Sequence, residues 1–171
     1  MNEAAAYGGI MTGGAIQNNT GHRGAAVNIY SDDRDKRAIF TLEDDGLITR
    51  NTGISANGNE AGGAVFVEDN AAFHMIGGTV SANKASKGGG ICIVDSALQR
   101  GIAEYGTEFL MDGGVISGNR AGTGGGIYSF SNGSFLRSGK IINNTATYSG
   151  GGLYSEGKAL MVTALPIYIM P

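Results

Sequence analysis

The feature that most constrains the fold is a glycine-rich repeat that recurs five times with the same residue order. In each copy an aliphatic residue is followed three positions later by asparagine, then by small residues and a glycine-rich run that ends in an apolar residue. Because an internal repeat builds one structural unit per copy, we expect stacked units within a single domain, 1–171. The copies span residues 16–27, 54–65, 80–91, 116–127 and 141–153, within a repeat region of about 8–155.

The apolar runs are short and are interrupted by glycine, as in "AVFV" (64–67) and "ICIV" (91–94). Such runs favour strands of three to five residues over helices. The last residues of the copies, Val27, Val65, Ile91, Ile127 and Leu153, are separated by 38, 26, 36 and 26 residues. A unit of 26 residues therefore alternates with units enlarged at 31–38 and 95–108, where we expect loops. At about 3.3 Å per residue, such a unit can encircle a core and stack on the next at about 4.8 Å. The sequence predicts an all-β fold, a parallel β-helix of about five coils.

Glycine and asparagine are given structural roles by this interpretation. Glycine accounts for 31 residues, yet 42% of the chain is hydrophobic, which excludes a flexible linker. We expect the glycines at sharp turns and where stacked coils approach closely. The asparagines of the five copies are expected to form one hydrogen-bonded row, since asparagine tolerates the left-handed conformation. The predicted ladder is Asn19, Asn57, Asn83, Asn119 and Asn144.

The predicted core combines the two aliphatic ends of every copy with a wall of Phe-x-Met pairs. It contains Ile16, Val27, Ile54, Val65, Val80, Ile91, Ile116, Ile127, Ile141 and Leu153, with Phe73, Met75, Phe109 and Met111 opposite.

The next residue in each copy should point outward, because side chains alternate along a strand. This outer row is Asn28, Phe66, Cys92, Tyr128 and Tyr154. Phe66, Tyr128 and Tyr154 are candidate binding residues, since exposed aromatic rings can stack on sugars or on partner side chains. The alternative is that they shield the sheet or lie beneath a loop.

Titratable residues give no clear site for a metal or a cofactor, and we expect neither. Paired carboxylates can act on glycosidic bonds, so the acidic stretch from Asp32 to Asp45 is the candidate site for catalysis. A solvated loop is the alternative. His22 and His74 lack the spacing of metal ligands. The net charge is −3 and basic residues are scattered, which argues against a nucleic-acid partner.

The combined pattern F-x-M-x-G-G-x-I-x-x-N-x-A-x-x-G-G-G-I-Y resembles the right-handed parallel β-helix repeats of bacterial surface proteins and adhesins, a pectin-lyase-like architecture. The motifs "GGAI" (13–16) and "GGAV" (62–65) are similar to those in passenger domains of autotransporters and of chlamydial polymorphic outer-membrane proteins. That family also has an F-x-x-N motif, and here isoleucine or valine stands in place of its phenylalanine.

The resemblance implies a non-catalytic structural or adhesive module that is secreted or displayed at the cell surface. Its partner would be a host or cell-surface protein or a glycan. The alternative implied by the fold is a polysaccharide lyase or glycoside hydrolase.

The ends of the sequence differ from the repeats. No signal peptide is visible at the N-terminus, and the apolar segment at 159–171 is too short for a membrane helix. We expect 156–171 to form a divergent strand or cap. Neither end carries an amphipathic capping helix, which predicts either a larger parent chain or end-to-end stacking of copies.

Overall fold

A computed structural model describes residues 7–33, 35–54, 62–96, 106–156, 160–162 and 167–170. All nineteen elements found in these residues are β-strands, and every strand pair is parallel. The strands are β1 Tyr7–Met11, β2 Ala15–Gln17, β3 Thr20–Gly21, β4 Val27–Ser31, β5 Ala38–Leu42, β6 Leu47–Thr49, β7 Thr52–Gly53, β8 Val65–Asp69, β9 Ala71–Met75, β10 Thr79–Ser81, β11 Ile91–Val94, β12 Glu108–Ser117, β13 Arg120–Thr123, β14 Ile127–Phe130, β15 Gly133–Ile142, β16 Thr145–Ser149, β17 Leu153–Ser155, β18 Leu160–Val162 and β19 Ile167–Met170. The all-β prediction is confirmed.

The chain visits the sheets in the same order repeatedly, and we call each circuit a pass. The first sheet contains two rows of strands, β1-β5-β9 and β2-β6-β10, and both rows pair with the long strand β12. The equally long strand β15 pairs with β12 on its other side. The second sheet has the order β4-β8-β11-β14-β17. A third face consists of the pairs β3–β7 and β13–β16, which isolated bridges through Lys84 connect. The first predicted loop, 31–38, lies between β4 of the second sheet and β5 of the first, whereas most of the second, 95–108, lies outside the described residues.

The core lies between the sheets and matches most of the predicted set. The side chains of Val65, Val80, Ile91, Ile116, Ile127, Ile141, Phe73, Met75, Phe109 and Met111 are completely buried. Ile16, Val27 and Leu153, on the first and last passes, are half-buried. Phe40, Phe73 and Phe109 stack in line, with ring centroids 6.1 Å and 5.7 Å apart.

One predicted core residue is wrong. Ile54 is 42% exposed, and its place is taken by the fully buried Ile48. Strand β6 sets this register, because Ile48 pairs with both Ile16 and Val80. The second pass therefore begins six residues earlier than the sequence interpretation placed it.

The same shift changes the asparagine ladder, which otherwise forms as predicted. Its members are Asn19, Asn51, Asn83, Asn119 and Asn144; the predicted Asn57 lies outside the described residues, and Asn51 holds its position. Each side-chain amide donates to the next Oδ1 at 3.0–3.1 Å, from Asn19 through to Asn144. From Asn51 onward, each amide also donates to a carbonyl of the preceding pass, as Asn83 does to Ile48 at 3.1 Å. The ladder thus links all five passes through one corner.

The glycine runs occupy a neighbouring corner, where backbones are close. Gly88 has φ 56°, in the left-handed region that favours glycine. A Cβ on Gly89 would lie 2.5 Å from the carbonyl oxygens of Arg120 and Gly125, on the next pass. The predicted roles of glycine in turns and in close stacking both occur at this corner.

At the C-terminal end, β18 and β19 pair with β15 in parallel and continue the first sheet. Among the described residues there is no helix of the length and apolarity needed to cross a membrane.

Candidate functional site

The outer row of the second sheet forms an aromatic cluster that is mostly buried. Phe66, Cys92 and Tyr128 pack together, with Val94, Phe130 and Tyr154 against them. The exposed fraction is 6% for Phe66 and 4% for Tyr128, whereas Tyr154 is half-buried. The outward direction of these side chains follows the prediction, but Phe66 and Tyr128 are buried and not exposed as a binding face would require.

Charged side chains and a hydrogen bond cover much of the outer surface of this aromatic cluster. The Arg23 guanidinium lies 5.9 Å from the centre of the Phe66 ring, and the Lys87 ammonium 4.9 Å from that of Tyr128. Tyr128 stacks on Tyr154 with centroids 5.5 Å apart, and its hydroxyl donates a 2.9 Å hydrogen bond to Glu156. Burial and this hydrogen bond raise the pKa of Tyr128. The cluster therefore shields the sheet, as the alternative interpretation predicted.

Cys92 lies at the centre of the aromatic cluster. Desolvation of its buried thiol raises the pKa to about 12, so the thiol stays protonated at neutral pH. Cys92 is packed as a small apolar residue.

The acidic residues of the candidate catalytic site fall into two separate groups. Asp32, Asp33 and Asp35 precede β5, where the Asp33 carboxylate accepts a hydrogen bond from the backbone of Asp35 and pairs with Lys36 at 3.5 Å. Glu43, Asp44 and Asp45 follow β5. A five-residue strand spans about 16 Å, beyond the separation of roughly 5–9.5 Å between catalytic carboxyls in glycosidases. The described residues include no cluster of three potential metal ligands.

A polar group that the sequence interpretation did not find lies on the outer face of the first sheet. Glu108 accepts hydrogen bonds from His74 at 3.1 Å and from Arg37 at 3.2 Å. The hydrogen bond from His74, with the positive charge of Arg37, lowers the pKa of Glu108 despite partial burial. His22 is exposed and lies elsewhere. His74 and Arg37 are 34 and 71 positions away from Glu108 in the sequence. They lie beside it only because successive passes stack in register.

The third face holds an open cleft of about 550 Å³, which we call the cationic cleft. Residues 84–85, 120–122 and 145–147 line it. One rim is a row of exposed residues, each of which directly follows a ladder asparagine in the sequence. The floor consists of small residues, because Ala85 and Ala121 turn inward. In-register pairing forms this rim from Lys84, Arg120 and Thr145, and Thr52 and Thr20 continue the same row beyond the cleft.

Two cations and an aromatic ring give the cationic cleft its chemistry. Lys84 and Arg120 are exposed and bridge to each other through their backbones. Tyr148 is 83% exposed, and its ring lies beside Gly122, 3.4 Å from where a Cβ on that glycine would be. The sequence interpretation missed this cleft because its basic residues are 36 positions apart. The residue that follows each ladder asparagine would have revealed the row.

Comparison of this chain with known proteins found no match to a protein-family profile, a curated protein or a solved structure.

Proposed function

We propose that this chain is a right-handed parallel β-helix of about five coils, pectin-lyase-like in architecture, that serves as a non-catalytic adhesive or structural module. The main support is the pairing register. The last residues of the five copies, such as Val27, Val65 and Ile91, pair with one another on successive passes. All five residues follow this register. A stack of this kind is stiff and displays its outer faces in straight rows.

We infer that the module acts at the cell surface or outside the cell and that its partner is a cell-surface protein or a glycan. The open face beside the asparagine ladder supports a binding role, because it combines an aromatic ring, hydroxyls and cations with room for a ligand. The divided acidic groups favour adhesion over hydrolysis.

A polysaccharide panel scored for retention and for cleavage tests this function. We expect some polymers or cell surfaces to be retained, with no shorter products on size-exclusion chromatography. Cleavage that is lost in the Asp32→Ala or Asp45→Ala variant would overturn the proposal and indicate a carbohydrate-active enzyme. The variant Asp112→Ala, at an exposed carboxylate on β12, two strands from β5 in the first sheet, is the matched control.

A further inference from the structure

We propose that the cationic cleft binds a linear polysaccharide that carries carboxylate or sulfate groups. This inference rests on the adhesive function proposed above and specifies its ligand class.

The charge of the cleft points to an anionic ligand. Neither Lys84 nor Arg120 forms a salt bridge with a carboxylate within the described part of the chain. Their backbones are adjacent across parallel strands, so the two residues stand about 4.8 Å apart along the stack. One anionic group can therefore contact both side chains, and arginine binds such groups through two parallel hydrogen bonds.

The shape of the rim favours a chain over a single small anion. Its residues Lys84, Arg120 and Thr145 belong to a longer row that continues through Thr52 to Thr20 at strand spacing, so the whole row extends about 19 Å. Threonine hydroxyls at both ends donate and accept hydrogen bonds, as sugar hydroxyls require. A linear polymer that runs along the stack can use the cations at the centre and the hydroxyls beside them.

The floor and the exposed ring complete the fit. Ala85, Ala121 and Ala146 leave room above the sheet, and Tyr148 offers an exposed face that can stack on a sugar ring. Asn83 and Asn119 are buried in the ladder directly before Lys84 and Arg120, which fixes the backbone that carries both cations. Little backbone ordering is therefore required on binding.

Binding of polygalacturonate, heparin and neutral dextran to the full chain, measured by isothermal titration calorimetry, tests the inference. We expect an anionic polymer to bind and dextran not to bind. Polygalacturonate and heparin distinguish a carboxylate ligand from a sulfate ligand. The double variant Lys84→Gln/Arg120→Gln should bind at least tenfold more weakly and lose most of the salt dependence, and Tyr148→Ala should weaken binding several-fold.

The control is Arg137→Gln/Lys140→Gln, which removes the same charge from exposed residues on the first sheet. Unchanged thermal unfolding in both double variants excludes misfolding. Equal weakening in both would overturn the inference, as would failure of the wild type to bind either anionic polymer, or a single-stranded polynucleotide competing more strongly at the same residues. Retention of a protein or neutral-glycan partner would then leave the adhesive function standing, whereas cleavage of a polymer would overturn that function alone.

Discussion

A single ladder asparagine forms hydrogen bonds to the passes before and after its own and thereby joins three passes of the chain. The amide of Asn83 donates to the Ile48 carbonyl and to Asn119, and its Oδ1 accepts from the backbone and side chain of Asn51. Asn83 is 1% exposed, so water cannot replace these partners. Buried polar groups without partners are costly, which makes the ladder sensitive to any apolar replacement.

We predict that Asn83→Leu lowers the free energy of unfolding by about 2–4 kcal/mol, because it removes a hydrogen-bond partner from Ile48, Asn51 and Asn119 in a buried corner. Urea unfolding followed by circular dichroism measures the change. Asn28→Leu, at an exposed position of β4, is the matched control and should change stability by less than about 0.5 kcal/mol. Equal unfolding free energies for wild type and Asn83→Leu would contradict the structural role of the ladder.

Glu108 should make stability depend on pH in the acid range. Its pKa in the folded protein is below the ordinary value of 4.5, chiefly because of the hydrogen bond from His74 and then the charge of Arg37. The folded state therefore favours the ionised carboxylate, and this stabilisation is present above pH 4.5 and disappears as pH falls through the lowered pKa.

We predict that the urea midpoint of Glu108→Gln is lower than that of wild type at pH 7 and that the two converge as the pH approaches 3. Asp45→Asn, at an exposed turn, removes an equal charge and serves as the control. A constant difference between wild type and Glu108→Gln across this range would show that the ion pair does not contribute.

At the scale of elements, β6 decides the register of the second pass. It places Ile48 against Ile16 and Val80, whereas Ile54, directly after β7, is 42% exposed. The two isoleucines are each followed three positions later by asparagine, as Ile48–Asn51 and Ile54–Asn57. They therefore provide an internal comparison of the two registers.

We predict that Ile48→Ala destabilises the protein by about 2–5 kcal/mol, since it removes a fully buried side chain. Ile54→Ala, with the same chemical change, should cost less than about 1 kcal/mol. Thermal unfolding of both variants makes the comparison, and a larger loss for Ile54→Ala would restore the register that the sequence spacing suggested.

The register error has an identifiable origin in the sequence. The prediction aligned each copy by the 11-residue distance to the glycine-rich end, which favoured Ile54. The core residue that precedes the first aliphatic residue of each pass is a better guide, because Met11, Met75, Met111 and Leu136 all lie five positions before that residue. Leu42 precedes Ile48 by six. The distance along the first sheet thus varies by one residue only, because core packing limits it, whereas the segment from Asn51 to Val65 is longer in sequence than its counterparts in the other copies.

Strand type, the core and most of the ladder could be predicted because they depend on periodicity within one repeat. The row of Lys84 and Arg120 could also have been found, because each residue directly follows a ladder asparagine. The Glu108 group could not, since it combines residues from different passes that share no repeat position. Such neighbours can be identified only when every copy of the repeat is aligned in the correct register with the next. The burial of Phe66 and Tyr128 also depends on contacts from other segments, such as those of Arg23 and Lys87.

For the whole molecule, the pairing pattern has a kinetic consequence. Every strand pair in the described residues joins positions 25 to 38 apart, from Arg120–Thr145 to Val27–Val65. Large sequence separations slow folding because loops must close before contacts can form.

We predict refolding in milliseconds to seconds or more slowly after dilution from urea, as in other β proteins with non-local pairing. Stopped-flow circular dichroism measures this rate. The only prolines are Pro166 and Pro171, so a Pro166→Ala/Pro171→Ala variant should retain the same slow phase. Submillisecond refolding, or loss of the slow phase in this variant, would contradict a topological origin.

The asparagine ladder also affects how a gene of this kind can change. Each ladder member bonds only to the passes directly before and after it, through identical groups at 3.0–3.1 Å. Unequal recombination between two repeat-coding segments would insert or delete one circuit and rejoin equivalent asparagines, so the rest of the chain would keep its neighbours. The length of the molecule can therefore change in whole steps of about 4.8 Å, and each step adds or removes one residue of the row that follows the ladder.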